Sequence, residues 1–417
     1  MRGRSSSNVS VCLVIALLAL PMLAGFAVAK GKPQPPPEYK EPTGEFVSKS
    51  IPQLLVVTKK AARVYEWDND NGRFNHVWSG LICPGTDLTD WGASIAGVIG
   101  DLDNDKKKEV IISASYYKSY KVKGNIYFDW IRIWQMWKDG DSSDSPTYSG
   151  YPGFGASFME IGDVDIDGKN ELVTNRLIIT WDGSKSEFIE KANISEIGGS
   201  GGLTIGDADN DGKNEILIGM GETDTWHGHG LVLKYSSATG TYSVVGELGP
   251  ASTESNPNCF IDEISVGDLD GDGKNELFGS GYDGARIPSK IFIWKYSASE
   301  NKYKEVWSGE ETEGESHQMN EIANLDGGDY NEIAFTELSS QSLVVYKYDG
   351  ENKWSELGTY SNCPNIRGDA MLSGDFDGDG KAELIVEYTV WKWDGSAMKM
   401  IQNMNPDNSY VHTISMA

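Results

Sequence analysis

The sequence predicts an all-β fold, a seven-bladed β-propeller with four strands in each blade, and three observations lead to that prediction. A phrase built on Asp-x-Asp-x-Asp-Gly-x-x-Glu recurs along the chain. Short aliphatic and aromatic runs that end in a turn follow the copies. The 417 residues include 48 Gly, 13 Trp and 19 Tyr, a composition that favours short strands, tight turns and aromatic packing.

The acidic phrase marks six units of the chain. Five copies keep all four acids, and the copy at 323–333 is degenerate. The five lie at 99–110, 161–172, 205–216, 266–277 and 373–384. The first positions of successive copies are 44 to 62 residues apart, a spacing that suits a four-stranded unit with loops of variable length.

A second phrase follows each copy and has the form of an aliphatic-x-aromatic strand with a turn at its end. Clear examples lie at 179–183, 345–350 and 391–395. Asp-Gly between two strand-like runs is a strong hairpin signal. Each unit is therefore predicted as strand, acidic loop, strand, longer loop, strand, tight turn and strand.

A seventh unit is split between the two ends of the chain. The segment 53–80 has the later strands of a unit and no acidic loop, and 410–414 has the alternation to supply the missing first strand. Pairing the two ends closes the ring and leaves no open edge. The propeller is predicted over 51–417. A linear array of small β domains is the alternative, and it is disfavoured because a four-stranded unit can hardly bury its faces alone.

The N-terminal region predicts export. Residues 1–29 have basic residues, then an apolar run and the Ala-Val-Ala end typical of a secretory signal peptide, and 30–50 is predicted as a Pro-rich linker. We expect a secreted protein, extracellular or at the cell surface, that does not insert into a membrane after cleavage. An uncleaved N-terminal anchor is the alternative. Cys83, Cys259 and Cys363 then remain, an odd number whose pairing stays open.

The acidic loops predict metal sites. Carboxylates at alternate positions of a tight loop face one centre, Gly allows the reversal, and the final Glu closes the far side, which makes the oxygen cage that Ca²⁺ prefers. The predicted ligands are Asp101, Asp103, Asp105 and Glu109; Asp163, Asp165, Asp167, Lys169 and Glu171; Asp207, Asp209, Asp211, Lys213 and Glu215; Asp268, Asp270, Asp272, Lys274 and Glu276; and Asp375, Asp377, Asp379, Lys381 and Glu383. Each Lys offers its backbone carbonyl.

About five Ca²⁺ ions with a mainly structural role are therefore expected, and Mg²⁺ is the lesser rival because it tolerates flexible cages less well. The spacing differs from that of an EF-hand. The alternative is that the acids lie on solvated turns and bind no metal. The mutual repulsion of four clustered acids disfavours it. Lys106 replaces Gly in the first loop, so strain or weaker binding is expected there. In the degenerate loop Asn324, Asp326 and Glu332 remain and Gly328 replaces an acid, so poor binding or none is expected.

These loops resemble the FG-GAP and VCBS-type repeats of extracellular proteins, of which the propeller of integrin α subunits is the best-known relative. The resemblance covers about 51–417. It implies a seven-bladed propeller with structural Ca²⁺ between the first two strands of a blade, on the face opposite the usual ligand surface. The family includes adhesion proteins, fungal lectins and some polysaccharide lyases, so the fold does not fix the function.

A ligand surface is expected on the face opposite the acidic loops. Aromatic side chains beside polar groups suit stacking on sugar rings or anchoring a protein partner, although many such residues only cover blade edges. Mid-blade loops are expected over 113–129 and 221–230. The candidates on this face are Trp91, Tyr117, Trp226, His227, His229, Tyr282 and Arg286.

The charge and the absence of catalytic motifs favour a binder. A formal net charge of −26 repels nucleic acid and anionic lipid. The sequence has no nucleophile elbow, phosphate loop or zinc-protease motif. The predicted function is that of a calcium-binding, non-catalytic module for adhesion to a surface protein or glycan. A Ca²⁺-dependent polysaccharide-active, lyase-like enzyme and a structural cell-envelope component are the alternatives, and the oligomeric state stays open.

Overall fold

We describe the fold from a computed structural model of the chain. The residues that it describes are 42, 44–58, 61–82, 94–122, 125–152, 155–197, 201–223, 226–249, 260–282, 290–309, 317–361, 363, 370–404 and 411–417. The chain divides into two units, 1–40 and 41–417, and the described residues all belong to the second. The predicted signal peptide lies outside them. None of them belongs to a helix of the length and apolar character that crossing a membrane requires.

The described residues form strands and no helix, in seven antiparallel four-stranded sheets. Blade 1 comprises β28 (Val411–Met416), β1 (Gln53–Thr58), β2 (Ala61–Asp68) and β3 (Arg73–Leu81). Blade 2 comprises β4 (Ser94–Gly100), β5 (Glu109–Val122), β6 (Asn125–Trp137) and β7 (Tyr148–Gly150). Blade 3 comprises β8 (Met159–Gly162), β9 (Glu171–Thr174), β10 (Leu177–Asp182) and β11 (Glu187–Asn193).

The other four blades follow in chain order. Blade 4 comprises β12 (Leu203–Gly206), β13 (Glu215–Thr223), β14 (Trp226–Ser236) and β15 (Thr241–Leu248). Blade 5 comprises β16 (Phe260–Gly267), β17 (Glu276–Tyr282), β18 (Lys290–Ser297) and β19 (Lys302–Ser308). Blade 6 comprises β20 (His317–Ala323), β21 (Glu332–Glu337), β22 (Ser342–Gly350) and β23 (Lys353–Ser361). Blade 7 comprises β24 (Met371–Gly374), β25 (Glu383–Val386), β26 (Thr389–Trp393) and β27 (Met398–Asn403).

The prediction of an all-β, seven-bladed propeller with four-stranded blades is confirmed. Blade 1 takes its first strand from the C-terminal end of the chain, because β28 pairs with β1 in antiparallel register from Leu54↔Met416 to Thr58↔Val411. The predicted partner strand at 410–414 is therefore present, with observed bounds of Val411–Met416.

Among the described residues the core consists of seven apolar clusters, and each joins one blade to the next. One cluster packs Leu55 and Val57 of blade 1 against Ile112 and Trp137 of blade 2. Five further clusters join blades 2 to 7 in order. The last joins blade 7 to blade 1, and Ile385 lies in it with residues of β1 and β28. The seven blades therefore form a ring.

The arrangement of blades explains why polar and apolar residues do not alternate along β1. Successive side chains of a strand point to opposite faces of its sheet. Leu55 and Val57 lie in the cluster shared with blade 2, whereas Leu54 and Val56 lie in the cluster shared with blade 7. Both faces of the strand are buried, so its sequence is a continuous apolar run.

The described end of the predicted linker is packed onto the blades. Phe46 is fully buried in the cluster between blades 1 and 2, with its ring centroid 5.2 Å from that of Trp78. Its backbone N–H donates to the carbonyl of Asp141 at 2.7 Å, and its carbonyl accepts from Gly140 at 2.7 Å. The segment 44–48 therefore covers an edge of the propeller, whereas 30–41 lies outside the described residues.

Candidate metal centres

Each acidic loop connects the first strand of its blade to the second, and its Glu is the first residue of the second strand. Three of the four acids of each loop lie together, since one ligand oxygen from each falls within 4.8 Å of the other two. The groups are Asp101, Asp103 and Glu109; Asp163, Asp165 and Glu171; Asp207, Asp209 and Glu215; Asp268, Asp270 and Glu276; and Asp375, Asp377 and Glu383. Five blades therefore each hold one group that could bind a metal ion.

The third Asp of each loop lies outside this group and holds the backbone of the loop. Its Oδ1 accepts the backbone N–H of the residue two positions on, at 2.8 to 3.1 Å. The residues concerned are Asp105, Asp167, Asp211, Asp272 and Asp379, and the donors are Lys107, Lys169, Lys213, Lys274 and Lys381. In the last four loops the structure thus shows a hydrogen bond from the backbone N–H of the lysine. That the backbone carbonyl of the same lysine binds a metal ion stays a prediction.

The first Asp of each loop fixes the reversal of the chain. Oδ2 of Asp163 accepts the N–H of Gly168 at 2.9 Å, and Gly168 has φ +82°. The first loop keeps the same bond to Oδ2 of Asp101 at 3.0 Å, although the donor is Lys106 with φ +71°. A side chain in this left-handed region costs about 1–2 kcal/mol. The predicted strain at Lys106 therefore has a structural basis.

The Glu of each loop is buried and holds the loop to the sheet. Oε2 of Glu109 accepts the N–H of Leu102 at 2.8 Å, and the other four loops repeat this bond at 2.8 to 3.2 Å. Burial raises the pKa of Glu109 to about 7 and that of Glu276 to about 6. Burial also raises the pKa of Glu171, Glu215 and Glu383.

Three loops contain carboxylate oxygens that suit a cation. Oδ1 of Asp103, Asp165 and Asp209 is buried and has no hydrogen-bond partner. The side chain of Asp165 is only 7% exposed. A buried carboxylate oxygen without a partner is costly, and a bound cation removes that cost. The donor set of hard oxygens therefore fits an ion such as Ca²⁺.

A lysine ammonium lies among the acids of every complete loop, a feature that the sequence interpretation missed. Lys191 Nζ lies 2.5 Å from Asp165 and 2.7 Å from Glu171. Burial alone would lower the pKa of Lys191, but the bonds to Asp165 and Glu171 raise it. The other pairs are Lys138 with Asp103; Lys234 with Asp209, Asp211 and Glu215; Lys295 with Asp270 and Glu276; and Lys392 with Asp377, Asp379 and Glu383.

Asparagines link successive loops, and sequence reasoning missed them too. Nδ2 of Asn275 donates to the carbonyl of Asp207, the first acid of the preceding loop, at 2.8 Å. Three other loops repeat this bond at 2.6 to 3.1 Å: Asn170 to Asp101, Asn214 to Asp163 and Asn331 to Asp268. The recurring Asn before the Glu of the phrase was the available signal.

The degenerate loop keeps the fold of the others without their acid group. Oε2 of Glu332 accepts the N–H of Leu325 at 2.8 Å, as in the complete loops. Nδ2 of Asn324 donates to the carbonyl of Gly328, and Oδ1 of Asp326 accepts its N–H at 2.7 Å. Poor metal binding by this loop stays a prediction.

The structure corrects the placement of several ligand-face candidates. Tyr117 lies in β5, and Trp226, His227 and His229 lie in β14, so long hairpins replace the loops expected over 113–129 and 221–230. The strand pairing continues through these segments, as in Tyr117↔Trp130, and their Tyr, Phe and Trp residues favour strands. Tyr282 ends β17, and Trp91 and Arg286 lie outside the described residues.

The exposure of the predicted ligand-face residues is known for only one of them. The side chains of Tyr117, Trp226, His227 and Tyr282 are outside the description, and His229 is half-buried, with burial lowering its pKa. In antiparallel blades the ends of these hairpins and the acidic loops lie at opposite ends of the second strand. The candidates in β5 and β14 therefore lie toward the expected face.

Of Cys83, Cys259 and Cys363, only Cys363 lies among the described residues. It is a free thiol, 2% exposed, and burial raises its pKa to about 12. Its environment is that of an inert core residue.

A second group of acids lines a cavity of about 490 Å³ that all seven first strands border. Burial raises the pKa of Glu160 to about 7 and of Glu321 to about 8, and it raises that of Glu263 well above its usual value. Each carboxylate accepts a bond from the next blade: from Ile205 N–H, Ser373 Oγ–H and Asn320 N–H respectively. These glutamates join neighbouring blades around the axis.

Comparisons with known proteins show the fold alone. No protein-family model matches the chain, and no curated protein matches it. A solved protein from Lactobacillus plantarum has a TM-score of 0.55 at 10% identity, over 88% of this chain and 99% of that one. A candidate 6-phosphogluconolactonase from Bacteroides fragilis has a TM-score of 0.50 at 11% identity, over 88% and 98%.

A rhamnogalacturonan lyase from Bacillus licheniformis also matches, with a TM-score of 0.33 at 15% identity, over 86% of this chain and 61% of that one. A likeness this low carries no argument about activity. Membership of the FG-GAP or VCBS repeat proteins and likeness to integrins therefore stay predictions.

Proposed function

We propose that this protein is a secreted, calcium-binding β-propeller that acts as a non-catalytic binding module for an extracellular protein or glycan. One observation carries the calcium part: five blades present three carboxylates with ligand oxygens within 4.8 Å of one another. Buried Asp oxygens without partners in three of these loops support it further. Several carboxylates grouped on one loop suit Ca²⁺ better than Mg²⁺, which demands near-ideal octahedral geometry.

The proposed role of the ions is to stabilise the blades. In the fourth blade an ion would join Asp207 and Asp209, which lie in the loop, to Glu215, which begins β13. It would thereby hold the turn between the first two strands. An ion that binds only the folded chain adds to stability by mass action. Five such ions would also offset part of the net charge of −26.

The unequal hairpins between second and third strands support the binding part. In blade 7 these strands have 4 and 5 residues, whereas β5 and β6 of blade 2 have 14 and 13. At about 3.3 Å per residue, β5 is roughly 30 Å longer than β25. The extended part, 116–130, is rich in Tyr, Phe and Trp. A long aromatic hairpin opposite the acidic loops suits contact with a partner.

The calcium part is tested by titration of the mature, chelator-treated protein. We expect Ca²⁺ binding near five ions per chain by calorimetry, a higher melting temperature in Ca²⁺, and much weaker effects of Mg²⁺. Asp165→Asn should remove one ion, and the control Asp326→Asn, in the degenerate loop, should leave the number unchanged. No binding by folded protein would contradict the proposal.

The binding part is tested by a screen against glycans, cell-wall polysaccharides and surface proteins, in Ca²⁺ and in chelator. Saturable binding without turnover is the expected result, and deletion of the hairpin tip at 118–127 should weaken it. Shortening of a bound polymer would instead identify an enzyme, and regular self-assembly would identify a structural component. Sequencing the N-terminus of the exported protein tests cleavage after Ala29.

A further inference from the structure

The lysines whose ammonium groups lie among the acids of the complete loops come from two different places in the fold. In blade 5 Lys295 faces Glu276 directly across β17 and β18. The pairing of the adjacent residues gives Lys138, Lys234 and Lys392 the same position opposite Glu109, Glu215 and Glu383. Four of the five ammonium groups therefore come from one position of the repeat.

Blade 3 has no lysine at that position. Thr180 lies opposite Glu171, because the neighbouring pair is Leu172↔Ile179. Lys191 of β11 supplies the ammonium instead, from an irregularity where Ile178 pairs with Ala192 and Ile179 with Glu190. A positive charge among the acids is thus restored from another strand, which indicates that the charge itself is what the site requires.

The other two blades supply an internal comparison. Lys347 has the repeat position in blade 6, because the neighbouring pair is Ile333↔Tyr346, but it is exposed and forms no ion pair with Asp326 or Glu332 among the described residues. In blade 1 the acid lies on the opposite strand, since Gln53 takes the place of the Glu and Glu66 takes the place of the lysine. Nε2 of Gln53 donates to Glu66 at 3.0 Å. The ammonium enters the loop only where the acid set is complete.

We propose that these five lysines are exchangeable internal counter-ions that occupy the acid groups until a cation displaces them. The proposal rests on the proposed calcium binding. Lys234 Nζ lies 2.5, 2.9 and 2.8 Å from oxygens of Asp209, Asp211 and Glu215, three of the four predicted acid ligands. A divalent ion on these carboxylates would be repelled by an ammonium so close, so the lysine side chain turns outward as the ion enters.

Two consequences follow from this competition. Without the ion, the lysine neutralises part of the acid group and keeps the loop folded. With the ion, the work of displacing the ammonium is subtracted from the binding energy, so the affinity of each site is lower than its carboxylates alone would give. A partly exposed ammonium, 22% for the side chain of Lys234, has a path into solvent.

The experiment compares Lys234→Met with Lys347→Met, the same change at the same repeat position in the degenerate loop. Calorimetry of Lys234→Met with Ca²⁺ should show one site per chain whose affinity is at least about tenfold higher, ahead of the remaining sites. Its melting temperature in chelator should fall. Lys347→Met should match the wild type in both measurements. Should Lys234→Met not fold, Lys234→Gln removes the charge and keeps a donor.

A position exchange adds a second test. Lys191→Thr should behave as Lys234→Met, and Thr180→Lys combined with Lys191→Thr should restore wild-type affinity and stability in chelator. Wild-type binding with unchanged or weaker affinity in Lys234→Met would overturn the counter-ion role alone. Absence of Ca²⁺ binding by the wild type and by Lys234→Met would overturn the calcium proposal itself.

Discussion

Glu276 and Lys295 face each other across β17 and β18, and Oε1 of the glutamate lies 3.2 Å from Nζ of the lysine. The other oxygen of Glu276, Oε2, accepts the N–H of Leu269 at 2.8 Å. One buried carboxylate thus holds the turn of the acidic loop and an ammonium from the third strand. This relationship recurs in the repeat, so the loops can be tested one at a time with matched controls.

Glu215→Gln should destabilise the protein more in Ca²⁺ than in chelator. The change removes a metal ligand, and it also removes the ion pair with Lys234 at 2.8 Å, so a loss of about 1–3 kcal/mol is expected in chelator as well. Thermal unfolding in both conditions measures the difference. Glu332→Gln is the control, because Glu332 has the same buried position in the degenerate loop. An equal loss for Glu215→Gln in both conditions would exclude a metal there.

Lys106→Gly should stabilise the first loop. Lys106 has φ +71°, which costs about 1–2 kcal/mol for a side chain, and glycine gives back about 0.5–1 kcal/mol through its flexibility when unfolded. A net gain of about 0.5–1 kcal/mol is expected from urea unfolding. Lys274→Gly, one position further along an equivalent loop, should instead lose stability. A loss for Lys106→Gly would show that the loop is unstrained.

Asn275→Ala should destabilise the contact between blades 4 and 5. It removes the 2.8 Å bond to the carbonyl of Asp207, and because that carbonyl is only partly buried, the loss should be about 1 kcal/mol. Asn275→Asp keeps the shape of the side chain but sets an oxygen against that carbonyl, so it should be at least as harmful as the alanine. Urea unfolding measures both variants. A harmless Asn275→Asp would contradict the assigned donor.

The axial glutamates should make stability fall as pH rises. The pKa of Glu321 is raised from 4.5 to about 8, mainly by burial and further by the charge of Glu160. Between these values the folded state binds more protons than the unfolded chain, so stability is lost as pH rises through the window. Glu321→Gln should therefore raise the melting temperature by several degrees at pH 8.5 and little at pH 5.

The measurement is made in chelator, so that metal binding does not vary with pH. Glu305→Gln, a change of an exposed residue in β19, is the control and should have no effect at either pH. An equal gain for Glu321→Gln at both values would assign the effect to packing. Glu263 and Glu160 face the same cavity, and burial raises the pKa of both, so their Gln variants should act in the same direction.

The repeat allowed most of the fold to be predicted from the sequence. Each acidic phrase predicted a turn between the first two strands of a blade. The Asp-Gly hairpins predicted the last two strands, so the blades followed from local signals. The split blade also followed, because 53–80 lacked one strand and the C-terminal end had one to spare. The prediction of a loop over 113–129 was wrong, because β5 and β6 continue through it as a hairpin, and pairing at the far end depends on a partner strand and not on local turn residues.

The sequence by itself determined the seven units, their strand order and the residues able to bind a cation, because these depend on spacing along the chain. Only the tertiary structure decided which charges meet. Lys191 lies 20 residues from Glu171 in the chain and reaches it only because a strand irregularity turns its side chain toward the loop. Asn275 and Asp207 likewise meet because the ring sets one loop beside the next. Spacing in sequence carries no information about such contacts, since they depend on how separate strands and blades pack.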